Sequence, residues 1–293
     1  MFDTVLVAGL GLMGGSMAKT IKARTLSRVL GWNRTRATAE QALADGSIDA
    51  IATDALFREV DLVIIGLYPQ ATVDWLLENM PKMKKGCVIV DMVGVKQFMV
   101  EHLEQAALDA GVHYVGGHPM AGSEKTGLKN ANEYLLENAY YILTPTTKTS
   151  PERLEEFRSL VTQLGAVALV LDYHLHDYAT AAISHLPHII AYSLVNLVKK
   201  SDDADETMKT IAAGGFKDLT RIASSSPVMW QNICQSNSEQ IVRLIDAYEE
   251  MLEKTKHDIL SSDADALLQD FQSAKDYRDS IAITNKGPIK EIY

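Results

Sequence analysis

Residues 4–16 read TVLVAGLGLMGGS, and this stretch decides the fold. An apolar run, Thr4–Ala8, leads directly into GLGLMG at residues 9–14, which matches the pattern G-x-G-x-x-G. The first glycine of this pattern permits a tight turn, the second lets the backbone approach a pyrophosphate, and the third lets a helix pack on the strand. The N-terminus of that helix offers free N–H groups to phosphate. A fold that binds a methyl donor is the alternative to a dinucleotide site. The predicted cofactor contacts are Gly9, Gly11, Leu12, Met13 and Gly14.

Short apolar runs alternate with amphipathic segments over residues 1–171. The predicted strands are Thr4–Ala8, Val29–Trp32, Asp61–Leu67, Cys87–Asp91, Val112–Gly116, Tyr140–Thr144 and Ala166–Leu171. The predicted helices are Met13–Arg24, Ala37–Asp45, Thr72–Met80, Gln97–Ala110 and Pro151–Leu164. This alternation predicts an α/β Rossmann-type domain at 1–171 with a doubly wound sheet, whose first five strands are expected to be parallel.

The pattern changes after Leu171, since no strand is predicted from His174 to Ser280. The predicted helices are Ala179–Lys199, Asp205–Ala213, Pro227–Thr255 and Ala264–Ile281. We therefore expect an all-helical domain at 172–293. Its many apolar faces predict a homodimer interface, and we expect the tail Asn285–Tyr293 to be frayed or to lie on the partner subunit.

The composition narrows the class of partner and the compartment. With 28 basic and 38 acidic residues the formal net charge is −10, so we do not expect a nucleic-acid partner. The two cysteines, Cys87 and Cys234, form no metal pattern or disulfide framework, which is typical of a reducing cytoplasm. No signal peptide and no uninterrupted apolar run of about 18 residues is present, so we expect a soluble cytoplasmic protein without a membrane partner.

The end of the second predicted strand bears on the choice between NAD and NADP. An acidic residue at this place would bind the ribose hydroxyls of NAD, but the chain has Asn33 followed by Arg34. Arginine here can pair with a ribose 2′-phosphate, or it can stack on adenine or point to solvent. The residues alone leave NAD or NADP open.

Four clusters further identify a family. GLGLMGGS at 9–16, HPMAGSE at 118–124, HLPH at 185–188 and GGFKDLTR at 214–221 follow one another in this order. A run PVMW at 227–230 and then Asn237 come next. Together these clusters resemble the prephenate dehydrogenase family, and the resemblance spans most of residues 4–280. It implies oxidative decarboxylation of prephenate to 4-hydroxyphenylpyruvate in tyrosine biosynthesis, and it slightly favours NAD.

Such a reaction needs a base for the substrate hydroxyl. His118 stands where a strand of the nucleotide domain ends, which is where open α/β sheets place ligands, and imidazole can accept a proton near neutral pH. His118 could also be a turn residue before proline. The resemblance implies that His118 is the catalytic histidine and that Glu124 gates or orients the site, although a solvated loop carboxylate is the alternative for Glu124.

The substrate also needs cations for two carboxylates. His185 and His188 share a helix face, and Pro187 between them should kink the helix. We predict that His188 contacts the substrate, that His185 does so or is an interior histidine, and that no metal binds there. Lys217, Asp218 and Arg221 lie on about one turn, and Arg221 can grip a carboxylate with two bonds or pair with Asp218 at the surface.

One position departs from the family. Members often carry Asp-x-x-Ser-x-Lys after the fifth strand, whereas this chain reads DMVGVK at 91–96, with Gly94 in place of the serine that lies near the substrate hydroxyl and the nicotinamide. This departure leaves substrate preference open between prephenate and its amino counterpart arogenate.

Two other functions remain as alternatives. One is another Rossmann hydroxyacid dehydrogenase, in which a catalytic lysine on a helix would be expected instead of HPMAGSE and HLPH. The other is a regulatory protein that senses NAD(P) without turnover. No further regulatory module is predicted in the sequence, so we expect any inhibition by tyrosine to be competition at the active site.

Overall fold

The computed structural model describes residues 2–122 and 125–281 as a sheet-based half followed by a helical half. The strands are β1 (Thr4–Ala8), β2 (Arg28–Trp32), β3 (Ala50–Ile51), β4 (Leu62–Ile65), β5 (Val88–Asp91), β6 (His113–Pro119), β7 (Tyr140–Thr144) and β8 (Val167–Val170). The helices between the strands are α1 (Leu12–Arg24), α2 (Arg36–Ala44), α3 (Pro69–Asn79), α4 (Gln97–Ala110) and α5 (Pro151–Gln163).

These eight strands form one sheet in the order β3-β2-β1-β4-β5-β6-β7-β8. Neighbouring strands are parallel except for β6 and β7, which pair antiparallel from Gly116 opposite Thr144 to Pro119 opposite Tyr141. In the described part of the segment between β6 and β7 the one helical element is a short 3₁₀ turn, Leu128–Asn130, because an antiparallel return needs no crossover helix. The predicted Rossmann-type sheet followed by helices is confirmed.

Alternation along β1 shows why the sheet is covered on both faces. Val5 and Val7 belong to one apolar core together with residues of α1 and α5, whereas Leu6 and Ala8 belong to a second core with residues of α3 and α4. Successive strand side chains point to opposite faces, so a continuous apolar strand must be buried on both. Because β1, β4 and β5 are parallel, their carboxyl ends lie side by side at one end of the strands, which we call the carboxyl edge of the sheet.

The helical half begins at α6 (Tyr173–Thr180), which Asp172 caps by accepting hydrogen bonds from His174 N and Leu175 N. The helices that follow are α7 (Leu186–Ser201), α8 (Thr207–Ile211), α9 (Gly214–Thr220), α10 (Pro227–Ser236), α11 (Ser238–Leu260) and α12 (Ala264–Ser280). The prediction of a single helix over Pro227–Thr255 is wrong, because this stretch forms two helices, α10 and α11. It is divided at Asn237, whose backbone leaves the helical conformation while its buried side chain bonds to α6.

A π-helical turn, Ala181–His185, joins α6 to α7, so Tyr173–Ser201 is one continuous helical stretch. Within the described residues it is the single helix that is long and apolar enough to cross a membrane by length and composition alone, with 29 residues and a mean hydropathy of 1.4 over its most apolar window. The sequence of this stretch has no long uninterrupted apolar run, because polar residues, His185 and His188 among them, interrupt it. Only 17% of its most apolar window is buried, so much of this apolar surface is exposed in the single chain.

Candidate active site

The glycine loop after β1 has the geometry that its sequence requires. Gly9 has a φ of +91°, and its N–H donates to the Trp32 carbonyl at 2.8 Å. A Cβ on Gly14 would lie 1.9 Å from the carbonyl oxygen of Gly9, so a larger residue there would force the turn apart. The first and third glycines therefore hold the loop against the N-terminus of α1.

Gly11 has a different environment, because a Cβ built on it would meet no atom within 4 Å. Gly11 is also the N-cap of α1 and supplies no side-chain bond to the first-turn N–H groups. Leu12 and Met13, the first two residues of α1, are half-buried beside it. Open space, free N–H groups and a positive helix end fit the pyrophosphate of a dinucleotide.

Asn33 binds the glycine loop itself. Its Oδ1 accepts a hydrogen bond from Leu10 N–H at 3.0 Å, and its Nδ2 donates to the Thr35 carbonyl at 3.1 Å. The side chain of Asn33 therefore holds β2 and the loop together, and the neighbouring Arg34 is exposed to solvent.

His118 lies near the end of β6, and the Nδ1 side of its ring contacts α6. Its Nδ1 is 2.8 Å from Nε2 of His176 on α6, and Nδ1 of His176 is 2.7 Å from Oδ1 of Asp177. His176 and Asp177 are buried, with 0% and 1% of their surfaces exposed. Neither residue belongs to the sequence clusters described above. The sequence offers no signal for them beyond two adjacent ionisable residues, His176-Asp177, about one helical turn into α6.

Asp177 also reaches the sheet. Its Oδ1 accepts from Lys96 N–H at 2.7 Å, and its Oδ2 accepts from Gln97 N–H at 2.8 Å, at the N-terminus of α4. This carboxylate thus joins the start of α4 to the helix that carries His176.

A second buried cluster lies beneath His118. The ammonium group of Lys96 forms an ion pair with Asp91 and donates to the Gly117 carbonyl at 2.6 Å, next to His118. Tyr114 donates its hydroxyl to the other Asp91 oxygen at 2.6 Å. Burial lowers the pKa of Lys96, and the Asp91 charge opposes that shift. The Asp91 and Lys96 ends of the DMVGVK run therefore fix the backbone on both sides of Gly94.

Gly94 lies against the Nε2 edge of the His118 ring. A Cβ at Gly94 would be 3.4 Å from Nε2 and 3.5 Å from Cε1 of His118. A serine at this position would thus stand in contact with Nε2, and in this chain that contact is missing.

The HLPH cluster and the PVMW run come together. His188 stacks on Trp230 with ring centroids 3.7 Å apart, and its Nδ1 bonds the Ser184 carbonyl at 2.9 Å. His185 is buried, lies 5.9 Å from the Trp230 ring by centroids, and has Nδ1 3.3 Å from Nδ2 of Asn237. The indole nitrogen of Trp230 is buried and, among the described residues, has no hydrogen-bond partner.

The electrostatics keep these rings neutral. Burial lowers the pKa of His118 well below 6.5, and a charge on His176, Lys96 or His185 would act in the same direction. Burial likewise lowers the pKa of His185 to about 4. Burial also lowers the pKa of His188, and the charge of the exposed Arg221 contributes to that shift. Arg221 begins the 3₁₀ turn Arg221–Ser224, which packs against α7, the helix that carries His188.

The remaining predicted residues are less enclosed. Lys217 and Asp218 are exposed on α9. Glu124, together with Ser123, lies outside the described residues. The geometry thus brings His118, Gly94 and the glycine loop to the sheet edge, and it brings His188 close to Arg221.

Comparison with known sequences decides the family. The family described as prephenate dehydrogenase, nucleotide-binding domain, matches residues 17–170, and prephenate dehydrogenase, dimerization domain, matches residues 172–273. The chain belongs to the prephenate dehydrogenase family. The resemblance inferred from the sequence clusters is therefore confirmed.

Individual relatives of the prephenate dehydrogenase family match over 94% of the chain or more. Prephenate dehydrogenase of Bacillus subtilis is 39% identical over 297 positions, which span 100% of this chain and 80% of that protein. Cyclohexadienyl dehydrogenase of Zymomonas mobilis is 28% identical over 94% of this chain and 95% of its own length.

Solved structures of family members share the fold. Prephenate dehydrogenase of Aquifex aeolicus, in complex with hydroxyphenyl propionate and NAD+, superposes with a TM-score of 0.91 and 29% identity, covering 96% of this chain and 99% of that one. Arogenate dehydrogenase of Synechocystis superposes with a TM-score of 0.81 and 27% identity, covering 94% of this chain and 99% of that one. The protein is accordingly a dehydrogenase that uses NAD(P).

The open space at Gly11 yields a prediction that separates cofactor binding from folding. We expect Gly11→Ala to weaken NAD+ binding at least about 10-fold, or about 1.4 kcal/mol, because its methyl group would occupy the space left for the pyrophosphate. The free energy of unfolding in urea should change by less than about 0.5 kcal/mol, since the methyl meets no protein atom. Cofactor affinity is measured by calorimetry. Gly215→Ala, also in open space but on α9, is the matched control, and equal affinities for both variants would contradict the assignment.

Proposed function

We propose that the protein is an NAD-dependent prephenate dehydrogenase, which converts prephenate to 4-hydroxyphenylpyruvate and CO2 for tyrosine biosynthesis. The observation that carries this proposal is His118, held by His176 at the same end of the sheet as the glycine loop, in a chain that is 39% identical to a prephenate dehydrogenase over its full length. We further propose a division into a nucleotide-binding domain at 1–171 and a helical substrate and dimerisation domain at 172–293.

The proposed cofactor contacts are in the loop and at the end of β2. Gly9, Gly11, Leu12, Met13 and Gly14 would hold the pyrophosphate, Asn33 and Arg34 would border the adenosine, and Gly94 would border the nicotinamide. When bound, the nicotinamide ring accepts the hydrogen and two electrons from the carbon that bears the substrate hydroxyl. NAD is favoured because a solved relative holds NAD+. The exposed Arg34 is the residue through which NADP would bind instead.

His118 is the proposed catalytic base. Its pKa lies well below the usual value because the ring is buried, so the ring is neutral and ready to accept the hydroxyl proton at neutral pH. After oxidation, the carbon–carbon bond to the ring carboxylate breaks and its electrons enter the ring, which becomes aromatic as CO2 leaves. His118 can then return the proton to the ring oxygen, which becomes the phenol of the product.

The carboxylates of the substrate require donors, and the helical half supplies them. Arg221 near His188 is a charged partner for one carboxylate, and the unpartnered indole N–H of Trp230 is a neutral donor beside them. We propose His188, His185, Arg221, Lys217 and Asp218 as substrate-site residues. Glu124 is proposed as an orienting carboxylate on the grounds of the family resemblance.

The assembly is proposed to be a cytoplasmic homodimer. Large apolar side chains are exposed along α11 and α12, for example Leu260 at 77% and Phe271 at 67%, and exposed apolar patches of this kind mark interaction sites. These helices lie within the part of the chain that matches the dimerization domain, apart from the end of α12. The two cysteines are free thiols, as expected in a reducing compartment.

Arogenate is the second candidate substrate. One solved relative is an arogenate dehydrogenase. In this chain Gly94 has no side chain at the edge of the His118 ring, where the substrate hydroxyl would approach.

The test mixes the purified protein with prephenate and measures reduced-nicotinamide absorbance with NAD and with NADP in parallel. We expect absorbance to rise with NAD together with 4-hydroxyphenylpyruvate. A response to arogenate alone would change the substrate, and no response to either would favour an NAD(P)-sensing protein.

His118→Asn should retain cofactor binding and lose at least about 100-fold in kcat, because an amide cannot take up the hydroxyl proton. His113→Asn, at the other end of β6, is the matched control and should keep normal turnover. Turnover and NAD+ affinity are measured on both variants. A kcat for His118→Asn within a few fold of the parent would remove His118 from the mechanism.

Arg221→Gln should raise KM for prephenate about 10- to 100-fold, since a lost charge-assisted contact is worth roughly 1.5–3 kcal/mol. The KM for NAD+ should not change. Arg58→Gln, an exposed arginine on the 3₁₀ turn Leu56–Glu59, controls for the loss of a surface charge. If both variants have the parental KM for prephenate, Arg221 does not bind the substrate.

A further inference from the structure

We infer that His176 and Asp177 form with His118 a proton relay, in which they act as positioning residues for the base. The relay sets the tautomer of His118 and shares the charge that His118 gains during the reaction. This inference rests on the proposed function of His118, and it concerns two residues that the sequence clusters did not contain.

The relay starts at Asp177. Its carboxylate accepts two backbone N–H groups at the N-terminus of α4, from Lys96 and Gln97, and both bonds favour the ionised form. An ionised carboxylate only accepts hydrogen bonds, so the Nδ1 of His176, 2.7 Å from Oδ1, must carry a proton.

The tautomer of His118 follows from that of His176. In a neutral ring with a proton on Nδ1, the Nε2 of His176 is an acceptor, and it lies 2.8 Å from Nδ1 of His118. The His118 proton is then on Nδ1, and its Nε2 has a free lone pair. That Nε2 is the atom that borders Gly94, 3.4 Å from the Cβ position, so the basic nitrogen points away from the relay and toward the proposed site.

The proton movements balance along this chain. The substrate hydroxyl gives its proton to Nε2 of His118 as its carbon is oxidised, and the Nδ1 proton of His118 can pass to Nε2 of His176. His118 is then neutral, and the positive charge lies on His176 beside the Asp177 carboxylate. When the product oxygen takes up its proton from Nε2 of His118, the proton on His176 returns to Nδ1 of His118. No proton enters from outside.

The surroundings make this sharing of charge favourable. The ionisable groups that act on His118 are His176, Lys96 and His185, whereas those that act on His176 are Asp177, Lys96 and Asp91. Lys96 and His185, if charged, would repel a cation on His118. Burial lowers the pKa of His176 and Lys96 acts in the same direction, but Asp177 and Asp91 oppose that shift, and no carboxylate does so for His118. A cation on His176 is in direct contact with Asp177, and the hydroxyl of Thr180 is 3.4 Å from Nε2 of His176. Both residues of the relay are buried, where such an ion pair is weakly screened.

The first measurement reads the tautomer without using activity. The protein is labelled with ¹⁵N-histidine, and its two-bond nitrogen–proton spectrum is recorded near pH 7.5, with the His118 signals assigned by their loss in His118→Asn. We expect protonated Nδ1 and unprotonated Nε2 for both His118 and His176. A proton on Nε2 of His118 would overturn the inference, whichever substrate the enzyme uses.

The second measurement is kinetic. His176→Asn should lower kcat about 100-fold, at the lower end of what a general base contributes, with KM for NAD+ unchanged within twofold. The acid limb of the kcat–pH profile should move, because the groups around His118 have changed, and the His118 nitrogen signals should show a mixture of tautomers. A purely structural defect would reduce the amount of folded enzyme without moving that limb.

His174→Asn is the matched control, since His174 lies on the same helix, is exposed, and contacts Gln97 at 3.2 Å rather than His118. It should keep the parental kcat, pH profile and His118 tautomer. A kcat for His176→Asn within threefold of the parent, with an unchanged acid limb, would refute the relay. If the parent does not oxidise prephenate or arogenate, the proposed function fails, while the tautomer measurement still decides the relay geometry.

Discussion

The carboxylate of Asp177 is the point on which the candidate site depends. It is buried at the contact between the two halves of the chain, and it accepts hydrogen bonds from the N-terminus of α4 and from His176. A buried charge without such partners would cost several kcal/mol, so the helix end and the carboxylate must stay together. Because α4 follows Gly94 directly and His176 holds His118, one side chain aligns the residues contributed by the sheet with those contributed by the helices.

Burial also explains why His118 and His185 are neutral and why the buried charges beneath His118 are paired with each other. The Lys96–Asp91 pair lies beneath His118 and bonds the backbone at Gly117, which fixes the strand without placing a free charge in the site. His118 itself is kept uncharged by burial. The cation that we propose for an anionic substrate is Arg221, which is exposed on the 3₁₀ turn that packs against the helix of His188. In this proposal, the hydroxyl proton and the carboxylates of the substrate contact different parts of the molecule.

Local sequence pattern was sufficient for most of the fold. The predicted bounds of Thr4–Ala8, Gln97–Ala110 and Tyr140–Thr144 agree with the structure because each has a strong apolar period and clear ends. The two-residue strand β3 has too little pattern to be found, and β6 continues to Pro119 because its pairing with β7 holds residues that are poor strand formers. The direction of β7 and the break at Asn237 depend on tertiary contacts, which a single sequence does not display.

The same distinction applies to the site. His118, Gly94 and the glycine loop lie in short motifs with a chemical reason for each residue, so they could be proposed from the sequence. His176 could not, because its partner His118 is 58 residues away and the contact exists only after the helical half has packed on the sheet. The position of the family serine differs from His176 in this respect. The sequence alone shows that Gly94 replaces the serine, and the structure adds that a Cβ there would border Nε2 of His118. Because Gly94 offers Nε2 no hydroxyl partner, the hydrogen bond to His176 on the Nδ1 side carries more of the orientation of the ring that we propose as the base.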